Sequence, residues 1–399
     1  MFDYSDLLLE TADSGKLKHL EHPEDRILSG PHEYAKSFHA LDAVHSSMVG
    51  HPGKQTHITT KYDGSPSLIF GHHPETGKFF VATKSAFNKE PKLNYTHADI
   101  VKNHPQGGLQ QKLHTALKHL PEVAPKHGVY QGDIMYTHHD ISNNREEKEH
   151  HFKPNTITYS IGKNTEEGKK ISKAKIGMVV HTQYHGKTLE SMKAHFNPDM
   201  SKFGSHEHVH LITPHADVEH SHYSPEAQQE YIKHMRASHE HFSKIPEAGH
   251  AVLAPHKAAI QQYINTSVRE NKFPNIHGYL HSMERASAAK AATYKNPAAA
   301  AEHTRKSTEA RHVVHLNQPH FEHMFAAHYH MAKAKDVLVH ALSTHSTYGN
   351  SINGRPSKPE GFVATHHGYP TKLVHRAEFS HANLNKEGPN RFKNERPSR

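Results

Sequence analysis

The feature that most constrains this chain is the way two kinds of sequence are separated along it. Short runs rich in Ile, Val, Phe and Tyr, bounded by turn residues, lie before about residue 185 and return at 360–379. Between them is an Ala-, His-, Gln- and Glu-rich stretch with Ser224-Pro225, Ala254-Pro255, Asn296-Pro297 and Gln318-Pro319. Proline suits the first turn of a helix, where its missing N–H would have had no partner anyway. The middle therefore reads as helices and the flanks as sheet. With 399 residues the chain also exceeds the ~250–300 at which a single core stops growing. The expectation is an α+β protein whose antiparallel-sheet core uses residues 1–185 and 347–380, interrupted by a mainly helical, His-rich insert over 186–346. The basic, polar residues 381–399 read as a disordered tail.

Within the core, residues 1–50 read as a lead-in and then a helix, with Phe38, Leu41, Val44 and Met48 at helical spacing. From His57 to Ala86 the segments HITTKYDG, SPSLIFG and KFFVATKSA predict a hairpin-rich β unit, with the turn HHPETG between the last two. Helical stretches follow near 98–103 and 109–120, then strands at 128–136, 156–162 and 176–184. The run Pro297-Ala-Ala-Ala-Ala is strongly helix-favouring and needs no functional explanation.

Composition narrows the chemistry. The absence of Cys rules out disulfides, Fe–S clusters, thiolate zinc sites and cysteine nucleophiles, and fits a reducing compartment. No apolar run approaches the ~18 residues of a membrane span, and the first residues lack the basic and apolar regions of a signal peptide. A cytoplasmic protein is expected, in the host cytoplasm if the chain is viral. The formal charge of +8 suits a polyanionic partner. At an ordinary pKa near 6.5 about a quarter of the 47 His would be charged at pH 7, adding roughly +11.

Lys61-Tyr62-Asp63-Gly64 lies where a β segment runs into a turn. A lysine becomes a nucleophile when its pKa is depressed, which burial beside other cations would do. Asp63 falls on the same side of an extended chain as Lys61, and Gly64 lets backbone approach a nucleotide. Alone, the tetrapeptide also suits a surface turn. Downstream, Tyr130-Gln131-Gly132-Asp133-Ile134 and Glu360-Gly361-Phe362-Val363 each place an acid in or at an apolar strand, which is costly unless the acid binds metal or ligand. Lys372 then lies in the adjoining strand.

In order and type these segments resemble the motifs of the covalent nucleotidyltransferase superfamily: ATP-dependent DNA ligases, RNA ligases and capping enzymes. The motifs are KYDG (61–64), YQGDIM (130–135), EGFV (360–363) and TKLV (371–374), and the Ser after KYDG is most similar to phage-type RNA ligases. The resemblance implies an adenylation core of the ATP-grasp-like ligase type, with Lys61 as the adenylated lysine. It further implies ATP as substrate, Mg²⁺ or Mn²⁺ as cofactor, Asp133 and Glu360 as metal ligands, and Asp63, Gly64, Lys84, Glu360 and Lys372 at the nucleotide. The expected function is ATP-dependent joining of nucleic-acid ends, RNA more than DNA, as in nucleic-acid repair. The short stretch after the last motif leaves no room for a C-terminal OB domain, which favours the RNA-ligase type. The chain departs from the pattern at Pro66, where many ligases have Arg, and at the last motif, where only Arg376 follows Lys372 in place of a second lysine. An alternative is an inactive, His-rich nucleic-acid-binding or structural protein with a ligase-like core.

The histidines raise a metal reading. His206-Glu207-His208-Val209-His210, with His215, His220 and His222 nearby, alternates as a strand would and could gather imidazoles on one face. In so His-rich a chain, solvated or core histidines are the first expectation. Near 319–342, His320, His323, His328 and His330 fall around more than one face, which predicts a wet, titratable helix surface beside a packing stripe of Phe321, Phe325 and Val339. No P-loop, serine-hydrolase elbow, HExxH or Rossmann fingerprint is present.

Overall fold

The structure is a computed structural model that describes residues 20–51, 56–141, 148–219, 221–344 and 346–376. The lead-in before Leu20 and the tail 381–399 lie outside the described residues. The chain divides into two compact units, one of residues 1–21, 42–223 and 339–373, the other of 22–41, 224–338 and 374–399. The chain therefore passes between them within helix α1 (Pro31–Met48), whose first part belongs to the second unit.

The first unit carries the strands. β1 (Thr56–Lys61), β2 (Ser67–His72) and β3 (Phe79–Ala82) come first, followed by helices α2 (His97–Asn103) and α3 (Gly108–His119). Next are β4 (Val129–Thr137), β5 (Glu149–Phe152), β6 (Thr158–Gly162), helix α4 (Glu166–Lys173), β7 (Ile176–His185), β8 (Lys193–Phe196) and β9 (Val209–Ile212). After the excursion into the second unit come β10 (Gly349–Ile352), β11 (Arg355–Pro356), β12 (Gly361–His366) and β13 (Tyr369–Leu373). They form sheets ordered β1-β12-β13, β11-β10-β6-β5 and β3-β2-β4-β7-β8, with β9 alongside β7. The pairings are antiparallel except β7 with β9.

The central sheet is buried on both faces, which explains the unbroken apolar run Leu68-Ile69-Phe70 in β2. Leu68 and Phe70 point to one face, where Ile100 of α2 and Leu113 and Ala116 of α3 cover them. Ile69 points to the other, among Phe80, Tyr184, Leu189 and Met192. Each such side chain contributes about 1.5–3 kcal/mol through burial. Helix α2 starts at a reciprocal cap: Thr96 accepts from the Asp99 backbone N–H, and Asp99 accepts from that of Thr96.

The second unit is helical: α5 (Pro225–Ser243), α6 (Glu247–Leu253), α7 (Lys257–Arg269), α8 (Ile276–Ala291), α9 (Pro297–Leu316) and α10 (Gln318–Leu342), the last helix crossing into the first unit at its end. Pro225, Pro297 and Pro319 stand in the first turns of α5, α9 and α10, Pro255 lies instead in a short 3-10 turn between α6 and α7, and Ser224 and Asn296 cap α5 and α9 by accepting backbone N–H bonds. The core includes Tyr231, Phe242, Ile260, Tyr279, Phe321 and Met331. Tyr34 stacks on Phe242 at 3.8 Å between ring centroids. No helix among the described residues is long and apolar enough to cross a membrane.

The mixed helix-and-sheet architecture with mainly antiparallel sheets agrees with the sequence expectation. Two features differ. Residues 186–223 belong to the strand-bearing unit and contain β8 and β9, because β4 covers one edge of β7 along its length and leaves the other open: β8 pairs with its second half and β9 with its first. The expected wet surface of α10 is also partly buried, since His328 is 3% exposed and faces the Asp25 carboxylate.

Candidate active site

Backbone pairing brings three of the sequence segments together. β1 runs antiparallel to β12 with Lys61 opposite Gly361, and β12 runs antiparallel to β13 with Val363 opposite Lys372. β2 pairs with β4 so that Ser67 stands opposite Asp133, and Asp133 stands opposite Val179 of β7. A cavity of about 500 Å³ opens among these strands, within the range of small-molecule sites. Lys61, Lys84, Asp133 and Lys372 all line it, together with His181 and His215.

Its floor is polar. The Tyr184 hydroxyl donates to Gln131 Oε1 at 2.5 Å, and Gln131 Nε2 donates to Ser67 Oγ at 2.9 Å. Burial pushes the Tyr184 phenol up, so it remains a donor at neutral pH. His181 Nε2 lies 3.5 Å from Asp133 Oδ1. Burial alone would raise the Asp133 pKa, but His181, the Ser67 hydroxyl and Lys61 hold it below the ordinary carboxylate value. Apolar side chains, including Val179, Phe196 and Met200, form other parts of the lining.

Lys61 Nζ donates to Glu360 Oε1 at 2.6 Å. Glu360 is 5% exposed and does not line the cavity; it lies behind the lysine. Its Oε2 is buried with no hydrogen-bond partner among the described residues. Burial pushes the Glu360 carboxyl up and the nearby Asp63 adds to this, against Lys61 and Lys372. For Lys61 burial acts downward, but the carboxylates of Glu360, Asp133 and Asp63 outweigh it and its pKa lies above the ordinary lysine value. The sequence argument expects a depressed pKa from burial beside cations. The burial is present, but the nearest charges are acids, so the resting amine is an ammonium ion.

Asp63 and Gly64 are not among the cavity's lining residues. The Asp63 carboxylate accepts from Asn155 Nδ2 at 2.6 Å and from the backbone N–H groups of Thr156 and Ile157 at 2.6 and 3.1 Å. Its own N–H donates to the Tyr159 hydroxyl at 2.7 Å. Asp63 thus clamps the segment entering β6 against the end of β1. A Cβ on Gly64 would stand 2.6 Å from the Asp133 Cβ, so this glycine lets the turn after β1 pass against β4. Arg376 pairs with Asp25 at 2.7 Å inside the helical unit and supplies no cation beside Lys372.

Sequence reasoning missed Gln131, His181, Tyr184 and His215 as cavity residues. Gln131 lies inside the YQGDIM segment, where alternation along β4 with Asp133 was a usable signal. The other three become neighbours only through strand pairing. In comparisons with known proteins, the chain matches a protein family described as a family of unknown function (DUF6267) over residues 17–388. No curated protein and no solved structure matches it.

Proposed function

The chain belongs to this family of unknown function, and since membership assigns no activity, we propose from the cavity that it is an ATP-dependent nucleotidyltransferase that carries AMP on Lys61. The acceptor in this reading is a nucleic-acid end, RNA more than DNA, joined by a ligase with an adenylation core of the ATP-grasp-like type. The observation that carries the reading is the convergence of Lys61, Lys84, Lys372 and Asp133, distant in sequence, on one cavity of nucleotide size. Three cations and one acid around a pocket suit a polyphosphate better than a neutral ligand.

The reaction follows from the groups present. The Lys61 ammonium gives its proton to Glu360, whose carboxylate it already contacts at 2.6 Å and whose raised pKa suits an acceptor. The freed Nζ lone pair forms a bond to the α-phosphorus of ATP while the bond from that phosphorus to the bridging oxygen breaks, and pyrophosphate leaves, taking up the second Nζ proton so that the adduct keeps a neutral N–H. Lys84 and Lys372 neutralise phosphate charge, and the polar floor orients the nucleotide. Asp133, whose side chain lines the cavity, would hold a hard divalent cation such as Mg²⁺ or Mn²⁺, whereas Glu360, behind Lys61 and its proton acceptor, does not fit the second ligand role expected for it. When bound, such an ion would supply further charge neutralisation at the phosphates. AMP then passes to a 5′-phosphate, which a 3′-hydroxyl attacks with release of AMP.

The test is incubation with α-labelled ATP and Mg²⁺ followed by denaturing electrophoresis. Label that stays on the wild-type chain and is absent from a folded Lys61→Ala variant is the expected result. No label on folded wild-type protein with ATP or GTP would reject the activity and favour a nucleic-acid-binding or structural role.

A further inference from the structure

A second cluster of chemistry lies outside the cavity, around Glu122 in the turn that follows α3. His119 at the end of α3 places Nδ1 3.4 Å from Glu122 Oε2. From the loop before β9, His206 Nδ1 lies 3.0 Å from Oε2 and His208 Nδ1 lies 3.8 Å from Oε1. One ligand atom each from His119, Glu122 and His208 fall within 4.8 Å of one another. The His119 and His208 rings are 5.3 Å apart, and those of His206 and His208 4.8 Å.

We propose that His119, Glu122 and His208, with His206 in reach as a fourth ligand, form a site for a zinc-type divalent cation. Ligands about 2.0–2.1 Å from a tetrahedral ion stand roughly 3.3 Å from one another, and the gaps to the Glu122 carboxylate straddle that value. Imidazoles with one carboxylate are a borderline donor set, which suits Zn²⁺ or Co²⁺ over Mg²⁺ or Ca²⁺. A second observation points to a missing partner: His208 Nδ1 is buried without a hydrogen bond among the described residues. An imidazole nitrogen left in that state costs free energy that coordination would recover. The backbone already holds the ligands near one another. Gly204 N donates to Val123 O at 2.8 Å, and Lys175 N donates to His208 O at 2.8 Å at the start of β7.

The ion would tie the end of α3 to the loop that leads into β9. β9 is the parallel partner of β7, and the residues after it, Thr213, Pro214 and His215, line the cavity. The role is structural: it pins an edge strand whose continuation forms cavity wall. The site does not depend on the adenylation reading, because none of its ligands touches the cavity.

The experiment is an equilibrium titration of the full chain, free of any affinity tag, with Zn²⁺ against a chelating dye, alongside the visible absorption of bound Co²⁺. The expected result is one tight equivalent with tetrahedral Co²⁺ bands, weakened on the order of 100-fold in His119→Ala/His208→Ala and retained in His277→Ala, an exposed histidine of α8. Should the double variant not fold, Glu122→Gln, which keeps the side-chain shape, must weaken binding in the same direction. Wild-type affinity in folded variants, or a wild-type chain with no site tighter than its scattered histidines, overturns the proposal.

Discussion

Lys61 is under two opposed influences, and their balance sets how the proposed reaction should respond to pH. Burial favours the neutral amine, while Glu360, Asp133 and Asp63 favour the ammonium ion and win. Only the neutral amine attacks, but Glu360 takes its proton within the pair, so the resting and reactive forms carry the same number of protons and the single-turnover rate of adduct formation should be level across neutral pH. Glu360→Gln removes the acceptor and the nearest carboxylate and leaves burial acting downward. The variant must lose the proton to solvent, so its rate should fall at neutral pH and rise about tenfold per pH unit until a lowered lysine pKa is reached. Rates measured across neutral to alkaline pH decide this, and a variant profile as level as the wild type's would show that Glu360 does not take the proton. The same residue-level view separates Asp63 from Lys61. Both belong to KYDG, yet the Asp63 carboxylate is spent on Asn155, Thr156 and Ile157, so its role is to hold the strand end in place.

Among elements, the helical unit has the more exposed energetics, because its core contains charges. Lys335 of α10 donates to Glu24 Oε1 at 2.6 Å, and both side chains are at most 1% exposed. Asp25 beside it meets His328 at 3.1 Å and Arg376 at 2.7 Å. A buried pair of this kind contributes little net stability relative to an apolar pair, but removing one member strands the other. Lys335→Met should therefore cost about 3–5 kcal/mol in urea unfolding, with much of the loss recovered when Glu24→Leu is added. A single variant as stable as wild type would mean that Glu24 finds solvent or another partner. Burial would raise the Asp25 carboxyl, but His328 and Arg376 outweigh it and hold it far below its usual value. Its contribution is thus present above the unfolded carboxylate pKa of about 3.9 and is lost as pH falls below that, so acid should weaken this unit.

For the whole molecule, charge is the property that extends beyond the cavity. With a formal +8 and 47 histidines, binding to a single-stranded oligonucleotide should weaken steeply as salt rises and strengthen as pH falls from 8 to 6. Fluorescence anisotropy over a salt series at both pH values measures this, and salt-independent binding, or none, would count against a polyanionic partner. The order of helices and most strands was determined by sequence alone, through local causes: prolines at helix starts, alternation in strands, and turn residues between them. Lys61, Asp133 and Lys372 could be chosen as candidates for the same reason, since costly residues in apolar strands announce themselves. The sequence could not say what surrounds them. That Glu360 faces Lys61 follows from the pairing of β1 with β12, a contact between residues 299 apart that reverses the expected sign of the lysine's pKa shift. That Asp63 serves a loop, that His181 and Tyr184 reach the cavity, and that Glu122 gathers three histidines were likewise decided only by tertiary structure. Periodicity and turn chemistry act over a few residues, whereas charge, burial and metal geometry depend on neighbours that strand register brings from far along the chain.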